Sequence, residues 1–174
     1  MVGRMNDEPG VAAPNVYQFK VNDAEGNVVQ MRKYKGQVML IVNVSSQSGF
    51  TDLNYKQLQE LQKVYGDRRF KVLAFPSDQL GNQEPSSAEK ILEWAREKGY
   101  EFDIFGKIDV NGPNTPLLWR YLKTSTRGMA GDFIKWNFTK FIVNRKGVPV
   151  ERYGPAVPPS MLKKSLEGLL ELES

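Results

Sequence analysis

Residues 37–76, "QVMLIVNVSSQSGFTDLNYKQLQELQKVYGDRRFKVLAFP", decide the architecture, because two apolar runs flank one amphipathic stretch. "VMLIVNV" (38–44) is a near-continuous, largely β-branched run, the pattern of a strand covered on both faces of a sheet. From Asp52 to about Tyr65, Leu58, Leu61 and Tyr65 recur at three and four residues, which predicts an amphipathic helix. "FKVLAF" (70–75) predicts a second buried strand. The polar stretch between the first strand and the helix, "NVSSQSGFTDLNY" (43–55), then falls at a strand's carboxyl end, where ligand sites of α/β sheets lie.

Working outward, "VYQFKVNDAEGNVVQMRKYKG" (16–36) offers two short alternating stretches around a Gly-bearing connection, as a hairpin does. "PSDQLGNQEPSS" (76–87) is loop by its Pro, Gly and Ser content. Ser86 with Glu89 forms an S-x-x-E capping box ahead of Ile91, Leu92 and Ala95, and Gly99 supplies the stop. Another helix is predicted from Thr115 through "PLLWRYLK", with Pro116 at its first position. "FTKFIVNRKGVPVERY" reads as strand, turn and strand, and Leu162, Leu166, Leu169 and Leu170 share the face of a closing helix. This order implies an α/β sandwich on a mixed sheet.

At 174 residues, 40% hydrophobic and 25% charged, the chain suits one folded domain behind a loose N-terminal arm, residues 1–14. Its longest apolar run is far short of the roughly 18 residues a membrane span needs. The N-terminus lacks an apolar signal core, so a cytoplasmic protein is expected, with a mitochondrial or trimmed secretory precursor left open. With no cysteine and no histidine, Ser-His-Asp triads, Cys-His pairs, His-ligated zinc and disulfides are all ruled out. Net charge is +4, yet between Arg120 and Lys146 seven basic residues stand against the single acid Asp132. That run reads as a solvated face or as a seat for a small anion such as a peptide carboxylate or lipid headgroup; nucleic acid has no motif in its favour.

Ser48 precedes the helix that begins near Asp52, where free N–H groups and the dipole favour an anion. A thiol there would ionise easily, its pKa falling from about 8.5 to roughly 3.5–7.5. A serine hydroxyl has neither that acidity nor sulfur's reversible oxidation states, and no histidine serves as its base. On local chemistry Ser48 is a turn or capping serine, with Thr51 and Asp52 as alternative caps. Gln83, Trp136 and Asn137 bring amide and indole N–H donors that suit a thiolate-like anion, although packing and turn roles explain each one alone.

"NVSSQSGFTDLNY", "LAFPSDQLGNQEP", "KIDVNG" and "IKWNFTKFIVNRKGVPVERYGP" together closely resemble the glutathione peroxidases, from about Val16 to the closing helix. The resemblance implies a thioredoxin fold over residues 15–174: an N-terminal β-hairpin and a central mixed sheet flanked by helices. It implies a peroxidatic cysteine or selenocysteine at the place of Ser48, with Gln83, Trp136 and Asn137 hydrogen-bonding the anion and orienting the peroxide. No cofactor is implied, only a hydroperoxide substrate with glutathione or another thiol as reductant. The family also has a cysteine where this chain has Ser77. Two serines at two such positions favour replacement of the chalcogen over natural loss of the chemistry, and both readings stay open.

Thioredoxin-dependent members carry a resolving cysteine in the helix near 88–98, which here reads "AEKILEWAREK" and has no serine to mark one. The short "TSTRGMAGDF" (124–133) resembles the monomeric members, phospholipid hydroperoxide enzymes among them. Lys135 and Arg152 fall where those enzymes have basic residues flanking the site, a patch suited to glutathione or to an anionic membrane surface. The expectation is a thiol-dependent peroxidase scaffold, inert as Ser48. Its rivals are a non-enzymatic protein of the same fold that binds anionic lipid or a partner and, far behind for want of a base, a serine hydrolase.

Overall fold

A computed structural model describes residues 10–126 and 133–172. A two-stranded antiparallel hairpin, β1 (Lys20–Asn22) and β2 (Val28–Gln30), precedes a five-stranded sheet. That sheet comprises β3 (Val38–Val44), β4 (Phe70–Pro76), β5 (Asp103–Ile104), β6 (Lys140–Val143) and β7 (Pro149–Tyr153), in the order β5-β4-β3-β6-β7. β3 runs parallel to β4 and antiparallel to β6, so the sheet is mixed as expected. β5, only two residues long, is too short to carry a periodicity and adds a strand to those the sequence predicts.

Every residue of β3 is buried, which is why its run is apolar at every position but Asn43 rather than alternating. Val38, Leu40, Val42 and Val44 face one half of the core with Tyr55, Leu58 and Leu61 of α1 (Thr51–Tyr65) and Ile91 and Ala95 of α2 (Ala88–Glu97). Leu166 and Leu170 of α4 (Lys163–Glu171) complete that half, as the leucine spacing implied. Met39 and Ile41 face the other half, with Leu118, Trp119 and Leu122 of α3 (Leu117–Ser125) and Val21 of the hairpin. Each such aliphatic side chain contributes about 1.5–3 kcal/mol by leaving water.

Two helix starts differ from the reading of the sequence. The cap of α2 is Ser87, whose hydroxyl accepts the Lys90 N–H at 3.3 Å, and not Ser86. The Ser86 carbonyl is instead held by Lys107 Nζ at 3.0 Å, which keeps that residue outside the helix. α3 begins at Leu117 with Pro116 as its cap residue, because Pro116 is extended (ψ 151) and its carbonyl accepts the first helical N–H, from Arg120.

The β6–β7 connection turns at Gly147 (φ 78), where a Cβ would come within 2.7 Å of the Tyr17 ring. Val16 N–H donates to Gly147 O and Tyr17 OH to Arg145 O, fastening the chain ahead of the hairpin to this turn. Of the predicted arm, residues 1–9 lie outside the described residues, as do 127–132 of the short segment ahead of "IKWNF".

Candidate active site

Three segments meet at the carboxyl ends of β3 and β4: the loop from Ser45 to Phe50, the loop from Ser77 to Ser87, and the "WNF" turn at 136–138. The first is wound by its own polar side chains. Thr51 Oγ1 donates to Ser45 O at 2.8 Å and accepts the Ser48 N–H at 2.9 Å, and Thr51 N–H donates to Ser48 O at 3.1 Å. Thr51 thus ties down the loop and does not cap α1; the cap residue is Phe50, with no side-chain cap hydrogen bond. Ser48 Oγ accepts the Phe50 N–H at 3.2 Å. The side-chain atom of residue 48 therefore sits at the N-terminus of a 15-residue helix with an amide proton directed at it, a setting that stabilises an anion.

The second loop approaches the first through main chain and side chain. Gln47 N–H donates to Gln83 O at 3.1 Å, and Ser46 Oγ donates to Glu84 Oε1. Gly81 (φ 74) lets the indole of Trp136 lie against the loop: a Cβ at 81 would be 2.5 Å from its ring. Asn137 is fully buried and donates from Nδ2 to Gln83 Oε1 at 2.8 Å and to Leu80 O at 3.3 Å. Gln83, Trp136 and Asn137 are thus drawn to one loop junction, and Ser48 is joined to it through the adjoining Gln47. Ser77 is buried at its edge, its N–H on Val44 O at 3.1 Å.

The "WNF" turn is held by a residue the motif reading passed over. Asn43 Nδ2 donates to Trp136 O at 3.1 Å, its Oδ1 accepts the Thr139 N–H at 2.9 Å, and its carbonyl accepts the Phe138 N–H at 2.7 Å. These bonds hold Phe138 at φ 66, a left-handed conformation that is costly for an aromatic residue. The signal was present in the sequence: one amide inside an otherwise apolar strand must find partners when buried. Ser46 and Glu84, by contrast, sit in loop composition that marks nothing.

The basic run does not form one solvated face. Lys123 is buried and donates to Val110 O at 2.6 Å, and Lys140 is fully buried with Pro155 O at 3.3 Å, its amine pushed down to about 7 by burial. Arg145 is buried too and donates to five carbonyls, those of Gly36, Arg68, Arg69, Leu170 and Leu172. Backbone carbonyls claim all three of these buried charges, so they are not available to an anion. Lys135 is exposed, while Arg152 is half-buried, donating to Phe133 O at 2.7 Å and lying over the Phe141 ring. Among the described residues no cluster of three potential metal ligands exists, and no helix is long and apolar enough to cross a membrane.

Residues 16–123 match the family model for glutathione peroxidase. The chain is 46% identical over 172 residues, 98% of each sequence, to a probable phospholipid hydroperoxide glutathione peroxidase of Mesembryanthemum crystallinum. It is also 46% identical, over 90% of its length and 68% of the relative's, to the mitochondrial probable phospholipid hydroperoxide glutathione peroxidase 6 of Arabidopsis thaliana. Among solved structures, T. cruzi GPX1 superposes with a TM-score of 0.75 at 34% identity, covering 90% of this chain and 96% of that one. A thioredoxin-family thiol:disulfide interchange protein from Chlorobium tepidum TLS superposes at 0.67 with 13% identity, covering 94% and 99%, which shows the shared thioredoxin fold.

Proposed function

Because the chain belongs to the glutathione peroxidase family, we propose that its site is laid out for thiol-dependent reduction of hydrogen peroxide, organic hydroperoxides and phospholipid hydroperoxides, and that the Ser48 form is inert. The observation that carries this reading is the Phe50 N–H on the side-chain atom of residue 48, at the N-terminus of α1. With sulfur or selenium at that atom, the amide and the helix end favour the ionised nucleophile. The anion attacks the terminal peroxide oxygen; an S–O or Se–O bond forms as O–O breaks, and the alkoxide leaves with the proton the thiol or selenol gave up. A first reducing thiol displaces water from the resulting sulfenic or selenenic acid, and a second releases the mixed disulfide, returning the starting state. Gln83, Trp136 and Asn137 hydrogen-bond and orient the reacting groups, a contribution in place before reaction begins.

Two features favour bulky lipid substrates. Phe50 and Leu53 stand 37% and 48% exposed beside residue 48, an apolar rim for an acyl chain. Lys135, with Arg152 behind it, supplies positive charge on the Trp136 side for an anionic headgroup or glutathione, and the protein acts as a monomer. The chain of M. crystallinum bears the matching substrate in its name.

The test is Ser48→Cys assayed with glutathione and either hydrogen peroxide or a phospholipid hydroperoxide. Turnover is expected to rise from background with both. A folded Ser48→Cys protein without turnover, alongside anionic-vesicle binding by the Ser48 chain, would instead favour the non-enzymatic lipid-binding reading.

A further inference from the structure

Glu84 is fully buried beside the residues just described, yet none of the chemistry above uses it. Its Oε1 accepts the Ser46 hydroxyl, and the Ser46 backbone N–H is turned to the same carboxylate. Its own main chain is fixed from both sides: the N–H donates to Asp78 Oδ1 at 2.9 Å and the carbonyl accepts Lys107 Nζ at 2.7 Å. One residue earlier, Gln83 O takes the Gln47 N–H. Two consecutive residues of the 45–50 loop are therefore latched onto two consecutive residues of the loop bearing Gln83, immediately ahead of residue 48.

We infer that Glu84 is a positioning residue for residue 48, its carboxylate clamping Ser46 so that the loop bearing residue 48 is held to the loop bearing Gln83. The inference rests on residue 48 being the reactive position. A serine at 46 suits this task because its hydroxyl and N–H reach one acceptor together. Glu84 Oε2, by contrast, has no hydrogen-bond partner among the described residues. Burial pushes the carboxyl up to about 7, against the opposing pull of Ser46 and Lys107 and with a push from Asp78. Tyr55 of α1, itself fully buried, completes the ionisable groups facing Glu84. As pH rises through that value the acceptor becomes a full carboxylate and the clamp tightens, since hydrogen bonds to charged acceptors are the stronger ones.

Two measurements decide it. In the Ser48 chain, backbone hydrogen exchange corrected for intrinsic rates is followed at Ser46 and Gln47 for the parent, Glu84→Gln, Ser46→Ala and Ser46→Thr. Glu84→Gln and Ser46→Ala are expected to speed exchange about tenfold or more, the factor for one hydrogen bond to an ionised group, while Ser46→Thr keeps protection. Exchange at Ile41 in β3 should not change. In the Ser48→Cys background, single-turnover oxidation of the thiol by hydrogen peroxide should slow by a similar factor in Glu84→Gln and lose a step in its pH profile near 7. Unchanged exchange at Ser46 and Gln47, or equal acceleration at Ile41, overturns the clamp. A Ser48→Cys thiol that never reacts with peroxide, with the exchange pattern intact, overturns the functional reading and leaves the clamp standing.

Discussion

Two charged side chains are buried at opposite ends of the same sheet, and they are treated in opposite ways. Arg145 lies where β3 and β4 begin, and all five of its N–H groups meet backbone carbonyls, from Gly36, Arg68, Arg69, Leu170 and Leu172. Glu84 lies where those strands end and keeps one oxygen without a partner from the described residues. Among the described residues Ser45 Oγ, Asn54 Oδ1, Tyr55 OH, Asn137 Oδ1 and, in α3, Trp119 Nε1 share that condition. A fully satisfied buried ion rigidifies a fold, whereas unmet polar groups each cost about 1–3 kcal/mol and persist where the molecule needs them for something other than stability. At the strand starts the buried charge is fully met, and at the strand ends, where the proposed site lies, it is not.

The comparison breaks most readily at Arg145. Arg145→Met should remove a donor from five carbonyls, of which Arg69 O keeps the Val38 N–H, and lower the unfolding free energy by roughly 3–5 kcal/mol in urea titrations; a loss under about 1 kcal/mol would show that water replaces the guanidinium at no penalty.

At the other end the signature is pH. The Glu84 carboxyl is raised from 4.5 to about 7, so the native state binds its proton more tightly than the unfolded chain does. Stability contributed by that proton is complete below about 4.5 and is lost as pH climbs to about 7, a fall of up to about 3 kcal/mol. Glu84→Gln should remove this slope and Arg145→Met should retain it; identical slopes in the two variants would erase the distinction.

Asn43 joins the strand core to the "WNF" turn. Asn43→Leu keeps the branching but strands the Thr139 N–H and leaves Trp136 O only the Thr139 hydroxyl at 3.4 Å, with an expected loss of about 2–3 kcal/mol and a shift in Trp136 emission. Away from both ends, Ser87→Ala removes only the cap of α2 and should cost about 1 kcal/mol, with no effect on the pH slope.

Legibility in the sequence follows the same division. β3, β4, α1 and the final leucine face were readable because burial imposes periodicity on whole segments. The two-residue β5 and the choice of Ser87 over Ser86 were not, since each turns on one tertiary contact, such as Lys107 holding the Ser86 carbonyl. Charge misled most. Lys123, Lys140 and Arg145 look like solvated residues in a one-dimensional count, and only the fold reveals that carbonyls claim them. Gln83, Trp136 and Asn137 stand out through family motifs, and the geometry that gathers them depends on Asn43 and Gly81, whose roles no local pattern states.

The fastening of Val16 and Tyr17 to the β6–β7 turn bears on how the protein can be handled. Tyr17 OH accepts the Gly36 N–H at 3.2 Å while donating to Arg145 O, so this anchor belongs to the strand-start end of the sheet. An affinity tag, fluorophore or cleavable leader joined ahead of Asn15 is therefore mounted on a braced corner of the molecule, with the whole length of β3 between it and residue 48.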